Sequence, residues 1–212
     1  MIRIKPIKLR AWFPPNNPVA TAVARLCILR EDLLLELHGI TGDRFNNLDD
    51  NSEASRRLYF WRNSLRTLTE VRDGLNAINA EAEFREALEH ETPEMQTAFE
   101  SLKKELNKAS QEFLVELRNT VGAHVDVTVL QDALNELDFS REGFVQLGEI
   151  RADIHYKFAG EFILSMLLRG IPDAEQQQVL EKLLERSASL GRAISAIDDV
   201  VACYARVRDL RG

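Results

Sequence analysis

Three residues near the middle of the chain could act together on a phosphate: Arg118, Asn119 and His124, in "LRNTVGAH". A guanidinium holds two non-bridging phosphate oxygens at once and stays charged at every relevant pH. An imidazole moves a proton near neutrality, and the amide of Asn119 can fix the arginine or a backbone group by hydrogen bonds. The trio suits metal-free cleavage of a phosphodiester by an RNA 2′-hydroxyl, with His124 assisting proton transfer and Arg118 stabilising charge on phosphorus. The spacing alone is a weak signal. With 20 arginines and 4 histidines in 212 residues, roughly one Arg-x4–6-His is expected by chance, and Arg85 with His90 in "REALEH" is such a pair. Requiring Asn, Asp or His directly after the arginine lowers the expectation to about 0.15, and Glu86 fails that requirement. The plainer reading is electrostatic: arginine and histidine at a helix C-terminus both interact well with the negative end of the dipole.

Helices must position these residues. Asn17 then Pro18 forms a cap followed by proline at the first helical position. The helix it starts runs to about Ile40, with Val19, Val23, Leu26, Leu29, Leu33 and Leu37 at steps of three and four. A second helix begins near Ser52 and carries Leu58, Trp61, Leu65, Leu68, Val71, Leu75 and Ile78 on one face, extending toward Leu88. "ETPE" then opens a third, with Thr92 as cap, Pro93 in the first turn and Glu94 near the positive dipole end. Its stripe of Met95, Phe99, Leu102, Leu106, Ala109, Phe113 and Leu117 leads into Arg118, and Gly122 breaks the pattern. Arg118 shares a side with Leu114 and Val121, at the edge of that stripe.

Beyond the motif, Val129, Leu130, Leu134 and Leu137 mark a short helix, and "DIHYKFAGEFILSMLLRG" reads as an apolar helix ended by Gly170 and Pro172. A long C-terminal helix over about 172–210 follows, striped by Leu180, Leu183, Ser187, Leu190, Ile194, Ile197, Val201, Tyr204 and Val207. Residues 1–17 read as an irregular arm, with Ile2–Leu9 a candidate short strand. These elements predict an all-α, up-and-down bundle of about five to six helices, one domain over 1–212, with a small irregular or β segment near 139–151.

"LRNTVGAH", at the end of an amphipathic helix in such a bundle, resembles the HEPN superfamily (higher eukaryotes and prokaryotes nucleotide-binding domain). The family motif is an arginine, commonly followed by Asn, Asp or His, with a histidine after four to six intervening residues. The resemblance implies a metal-independent endoribonuclease of a defence or toxin–antitoxin type, its cleft formed where two motifs meet across a homodimer. Carried over, Arg118 and His124 are catalytic and Asn119 is the polar motif residue. Members paired with a nucleotidyltransferase antitoxin often carry tyrosine two positions after the histidine; here that position is Asp126. Other HEPN-like domains are binding or scaffold modules, so the alternative is a non-catalytic helical interaction module that dimerises through its long helices.

Composition narrows the classes further. The net charge of −7 argues against coating nucleic acid by bulk electrostatics while leaving room for a local cationic pocket. Cys27 and Cys203 lie on apolar helical stretches, with neither metal spacing nor a disulfide framework. No glycine-rich phosphate loop or dinucleotide fingerprint is present, and no histidine has a glutamate three residues before it, as a di-iron bundle requires. No metal or cofactor is expected. The N-terminus lacks the apolar run of a signal peptide, and no segment approaches the roughly 20 apolar residues of a membrane span. The expected location is the cytoplasm, without membrane association, with RNA and an antitoxin or other protein as candidate partners.

"RRLYFWRNSLRTL" mixes arginines with aromatics. Arg62 and Arg66 are four apart and share a face, with Tyr59 and Trp61 placed elsewhere as core aromatics, and Arg66 is a candidate ion pair with Glu70. If the cleft binds RNA, Arg62 and Arg66 are the best additional phosphate contacts. His155 reads as a buried, hydrogen-bonded ring and His38 as a helix-end cap. The basic arm of Arg3, Lys5, Lys8 and Arg10 reads as solvated.

Overall fold

Asn17 opens the first long helix as its residue type predicts. Its Oδ1 accepts the backbone N–H of Ala20 at 2.7 Å, satisfying one donor that the helix start leaves orphaned. Asn16, just before it, takes the left-handed conformation (φ 61°) that asparagine tolerates better than most residues. The structure, a computed structural model, describes residues 8–42, 50–109, 127–136, 145–146, 155–156, 158–169, 171–172, 174–178 and 187–209. In chain order the elements are α1 (Leu9–Trp12), α2 (Pro18–Thr41), α3 (Asp50–Ala80), α4 (Ala82–Glu89), α5 (Pro93–Ala109), α6 (Val127–Glu136), β1 (Val145–Gln146), β2 (His155–Tyr156), α7 (Phe158–Leu168) and α8 (Ser187–Asp209). The fold is an all-α helical bundle. No described helix is long and apolar enough to cross a membrane.

The chain divides into two compact units, one of residues 1–34, 67–110 and 191–212, the other of 35–66 and 111–190. In the first, α2 buries Val19, Val23, Leu26, Leu29 and Leu33 as the periodicity predicts, and α3 buries Leu68, Val71, Leu75 and Ile78. Gly74 admits the Leu26 side chain, which would lie 2.8 Å from a Cβ at that position. Arg192 reaches Glu105 at 2.7 Å, and Arg206 grips both Glu91 carboxylate oxygens through Nε and Nη2. Because 192 pairs with 105 and 206 with 91, α5 and α8 run antiparallel. Asn76 and Asn107 exchange amide hydrogen bonds at 2.9 and 3.2 Å, and Phe84 packs on Phe99 with ring centroids 5.5 Å apart, so the chain of α3–α4 is antiparallel to α5 as well. Thr92 caps α5, its Oγ1 accepting Met95 N–H at 3.3 Å.

Three sequence expectations change in this unit. The second helix does not run unbroken toward Leu88: Glu81 is extended (φ −79°, ψ 122°) between α3 and α4. Six helical residues turn about 600°, which would leave Phe84 about 120° away from the Ile78 face. The break restores the phase, and Phe84 and Leu88 are buried. On α8 the inward face is Leu190, Ala193, Ile197, Val200 and Tyr204, whereas Ile194 and Val201 are only half-buried. Small Ala193, Ala196 and Cys203 lie inward, which admits closely approaching neighbours. The arm is not wholly irregular either. Residues 9–12 form the turn α1, Trp12 and Phe13 set their rings against Tyr204, and the Tyr204 hydroxyl donates to the Trp12 carbonyl. Residues 1–7 lie outside the described set, and Leu9 is helical rather than the end of a strand.

In the second unit the end of α2 and the start of α3 form a hairpin. A Cβ on Gly39 would lie 2.2 Å from the Phe60 ring, so glycine is what lets the helices approach. Arg56 donates to the carbonyls of Gly39 (2.5 Å) and Gly42 (3.2 Å), satisfying acceptors that the end of α2 leaves orphaned. Here the inward face of α2 carries Glu36 and Gly39, and Leu37 is half-buried. α6 packs on α7, with Ala133, Met166 and Leu167 buried and Arg169 paired to Asp132 at 3.0 Å. Between them in sequence, β1 and β2 pair antiparallel in the register Val145 with Tyr156 and Gln146 with His155. The expected small β segment therefore exists. His155 and Tyr156, read from sequence as the start of the apolar helix, form its second strand, and helix α7 starts at Phe158. The C-terminal helix expected over 172–210 is helical at 174–178 and 187–209, and residues 179–186 lie outside the described set.

Burial pushes the Cys203 thiol up to about 12, with the Glu91 carboxylate beside it acting in the same direction. A native pKa above the unfolded value means the stabilisation is intact below about 9 and is lost progressively as pH rises toward about 12. Denaturant melts between pH 8 and pH 11 should show stability falling with pH, with a shallower slope in Cys203→Ala. Equal slopes would remove this thiol from the titration. Gly39→Ala supplies a second check. Helix propensity alone predicts a gain of about 1 kcal/mol, whereas overpacking against Phe60 predicts a loss of about 1–3 kcal/mol. We expect the loss, partly relieved in the Gly39→Ala, Phe60→Ala double variant.

Candidate functional site

Arg118, Asn119 and His124 lie outside the described residues, as do Phe113, Leu117 and Gly122. The structure does describe the helix that leads toward them. α5 buries Phe99, Leu102, Leu106 and Ala109, four of the seven positions in its expected stripe, and Met95 is half-buried. Lys103 lies over the Phe99 ring at 5.4 Å and pairs with Glu100 at 2.7 Å.

Arg62 and Arg66 are both described, on α3 within the second unit. Trp61, Ser64 and Leu65 turn inward on that stretch, and Ser64 Oγ donates to the Trp61 carbonyl at 2.6 Å. The opposite side carries Tyr59, Arg62 and Arg66. Tyr59 is 52% exposed, so it is not the core aromatic expected from the sequence. It does not fall on a different side from the arginines either: the Arg62 guanidinium lies over its ring, 5.9 Å from the centroid. The spacing i, i+3, i+7 places all three on one helical face, a signal available in the sequence once Tyr59 is counted with the arginines. Phe60 meets the Tyr59 ring edge-on at 5.3 Å.

Charge pairing separates these two arginines from six others. Arg25 pairs with Glu70, Arg30 with Glu31 and Asp198, Arg72 with Asp73, Arg169 with Asp132, Arg192 with Glu105 and Arg206 with Glu91. The Arg30 and Arg206 guanidiniums are held above their ordinary pKa, first by the hydrogen bonds they donate to Asp198 and Glu91 respectively. The expected Arg66–Glu70 pair is replaced, since Glu70 takes Arg25 instead. Among the described residues Arg66 is exposed and meets no carboxylate, and the buried Nε of Arg62 has no hydrogen-bond partner.

The second Arg–His pair shows what such residues do at an ordinary helix end. Arg85 and His90 are exposed, and the His90 Nδ1 lies 2.7 Å from the Glu86 carbonyl at the C-terminus of α4. This is the dipole-capping arrangement. His38 is exposed near the end of α2, where its own carbonyl accepts the Gly42 N–H at 2.7 Å. Among the described residues no group of three or more His, Cys, Asp or Glu could hold a metal ion. No family model, curated protein or solved structure matches the chain.

Proposed function

We propose that this chain is a HEPN-like, metal-independent endoribonuclease of a defence or toxin–antitoxin type, acting in the cytoplasm as a homodimer. The observation that carries the reading is the Arg118–Asn119–x4–His124 sequence, placed after an amphipathic helix of an all-α bundle. In the reaction the RNA 2′-hydroxyl loses its proton and its oxygen attacks the adjacent phosphorus. The bond to the 5′-oxygen breaks, and a proton delivered to that oxygen completes its departure. Two histidines, one from each copy, can serve as base and acid. Arg118 neutralises the charge that builds on the phosphoryl oxygens, and Asn119 holds the arginine in place. Arg62 and Arg66 supply further phosphate contacts. Because Asp126 stands where nucleotidylated relatives carry tyrosine, regulation by an antitoxin would take another chemical form.

A second reading, a helical interaction module without catalysis, is favoured by α2. That helix exposes Ile28 (65%) and Leu35 (66%), aliphatic residues seven positions apart, the spacing of a helix–helix seam. In this reading Arg118 and His124 act at a helix end as His90 does.

The two readings separate in one assay. Under the first, RNA incubated with the protein and excess chelator yields fragments ending in 2′,3′-cyclic phosphate, and Arg118→Ala and His124→Ala each slow cleavage by about 100-fold or more. Cleavage that persists in both folded variants would sink the site assignment. Light scattering tests the seam. Ile28→Glu with Leu35→Glu should convert a dimer to monomer if α2 forms the contact, and should leave the mass unchanged if it does not.

A further inference from the structure

We infer that the Tyr59–Arg62–Arg66 face of α3 binds single-stranded RNA, with an unpaired base stacked on Tyr59 and the backbone phosphates held by the two guanidiniums. The inference rests on the ribonuclease reading for the identity of the strand, and on the geometry of this face for its mode of binding.

Three observations point the same way. First, Tyr59 is 52% exposed while Phe60 meets its ring edge-on and Arg62 lies over one face, which leaves the other face for a base. A large exposed aromatic, steadied in this way, offers a flat apolar surface at low conformational cost, and every nucleobase has a complementary π-face. Second, Arg62 is turned onto that ring and meets no carboxylate among the described residues, and guanidinium planes themselves stack with bases. Third, Arg66 stands one turn further on, about 6 Å along the helix axis, exposed and without a carboxylate partner among the described residues. Six arginines of this acidic chain, Arg25, Arg30, Arg72, Arg169, Arg192 and Arg206, engage its own carboxylates, whereas Arg62 and Arg66 meet none among the described residues and form a local cationic strip beside an exposed ring. Such a strip complements a polyanion.

The face selects unpaired strands. In duplex RNA the bases are stacked on one another and their faces are closed to Tyr59, whereas loops and single strands can present a splayed base. Charge alone would bind both forms, so preference for single strands is the signature of the ring.

The test uses the full-length protein and a labelled, unstructured 2′-O-methyl oligoribonucleotide, which lacks the nucleophilic hydroxyl and separates binding from cleavage. Tyr59→Ala should weaken binding about 5- to 150-fold, the range of one base–aromatic stack, and Tyr59→Trp should retain it. Arg62→Gln and Arg66→Gln should each reduce the slope of log affinity against log salt by about 0.7. An oligonucleotide made abasic at every position should bind wild type and Tyr59→Ala alike. Unchanged affinity in Tyr59→Ala, or equal affinity for the same sequence as a duplex, overturns the inference. Circular dichroism on each variant establishes that it is folded, and a folded Tyr59→Trp that loses binding also overturns it. If binding depends on Tyr59 while no RNA is cut, the nuclease reading fails and this surface stands. If Arg118 and His124 prove essential for cleavage while Tyr59→Ala binds normally, the reverse holds.

Discussion

The contact between Phe60 and Gly39 governs how α3 is rotated about its own axis, and the rest of the candidate surface depends on that rotation. A helix has one angular degree of freedom that its hydrogen bonds leave open, and here a missing side chain closes it. With the Phe60 ring lying where a Cβ of residue 39 would be, Trp61, Ser64 and Leu65 are inside. Tyr59 and Arg66 are then exposed, and the half-buried Arg62 lies over the Tyr59 ring. Arg56, one turn earlier, finishes the end of α2 by donating to its last carbonyls. The hairpin is thereby fixed at its turn by polar contacts and further along by steric fit.

Much of the helical layout was legible because its determinants are local. Asn17–Pro18 and Thr92–Pro93 start helices through caps that need only the next three residues. The stripes of α2 and α3 were readable for the same reason, since a run of leucines at steps of three and four leaves a single face to bury. Where two faces compete, local information runs out. On α8 both Ile194 and Ala193 are eligible, and the neighbours decide in favour of the smaller residue. The break at Glu81 involves neither glycine nor proline; it is visible only as a phase error between Ile78 and Phe84. His155 and Tyr156 adjoin an apolar helical stretch, and only pairing with Val145 and Gln146 makes them a strand.

The candidate site was legible in a different way. The Arg118–Asn119–His124 motif is a statement about residue types and order, and it stands on sequence. The α3 surface was half read: the arginines were identified, yet Tyr59 was assigned to the core because aromatic residues usually are. Spacing of three and seven outranks that general tendency. The His90 arrangement explains why a bare Arg–His spacing carries little weight, since the carbonyls of a helix end have uses of their own for an imidazole N–H.

The hydroxyl of Tyr204 and the carbonyl of Trp12 meet across 192 residues of sequence. This joint makes most of the chain a single closed circuit. Closing so large a loop costs only slightly more entropy than closing one half its size, because the cost grows logarithmically. In return, fraying at either side of the joint is resisted by the other, and the aromatic stack of Trp12, Phe13 and Tyr204 resembles a clasp more than a terminal decoration.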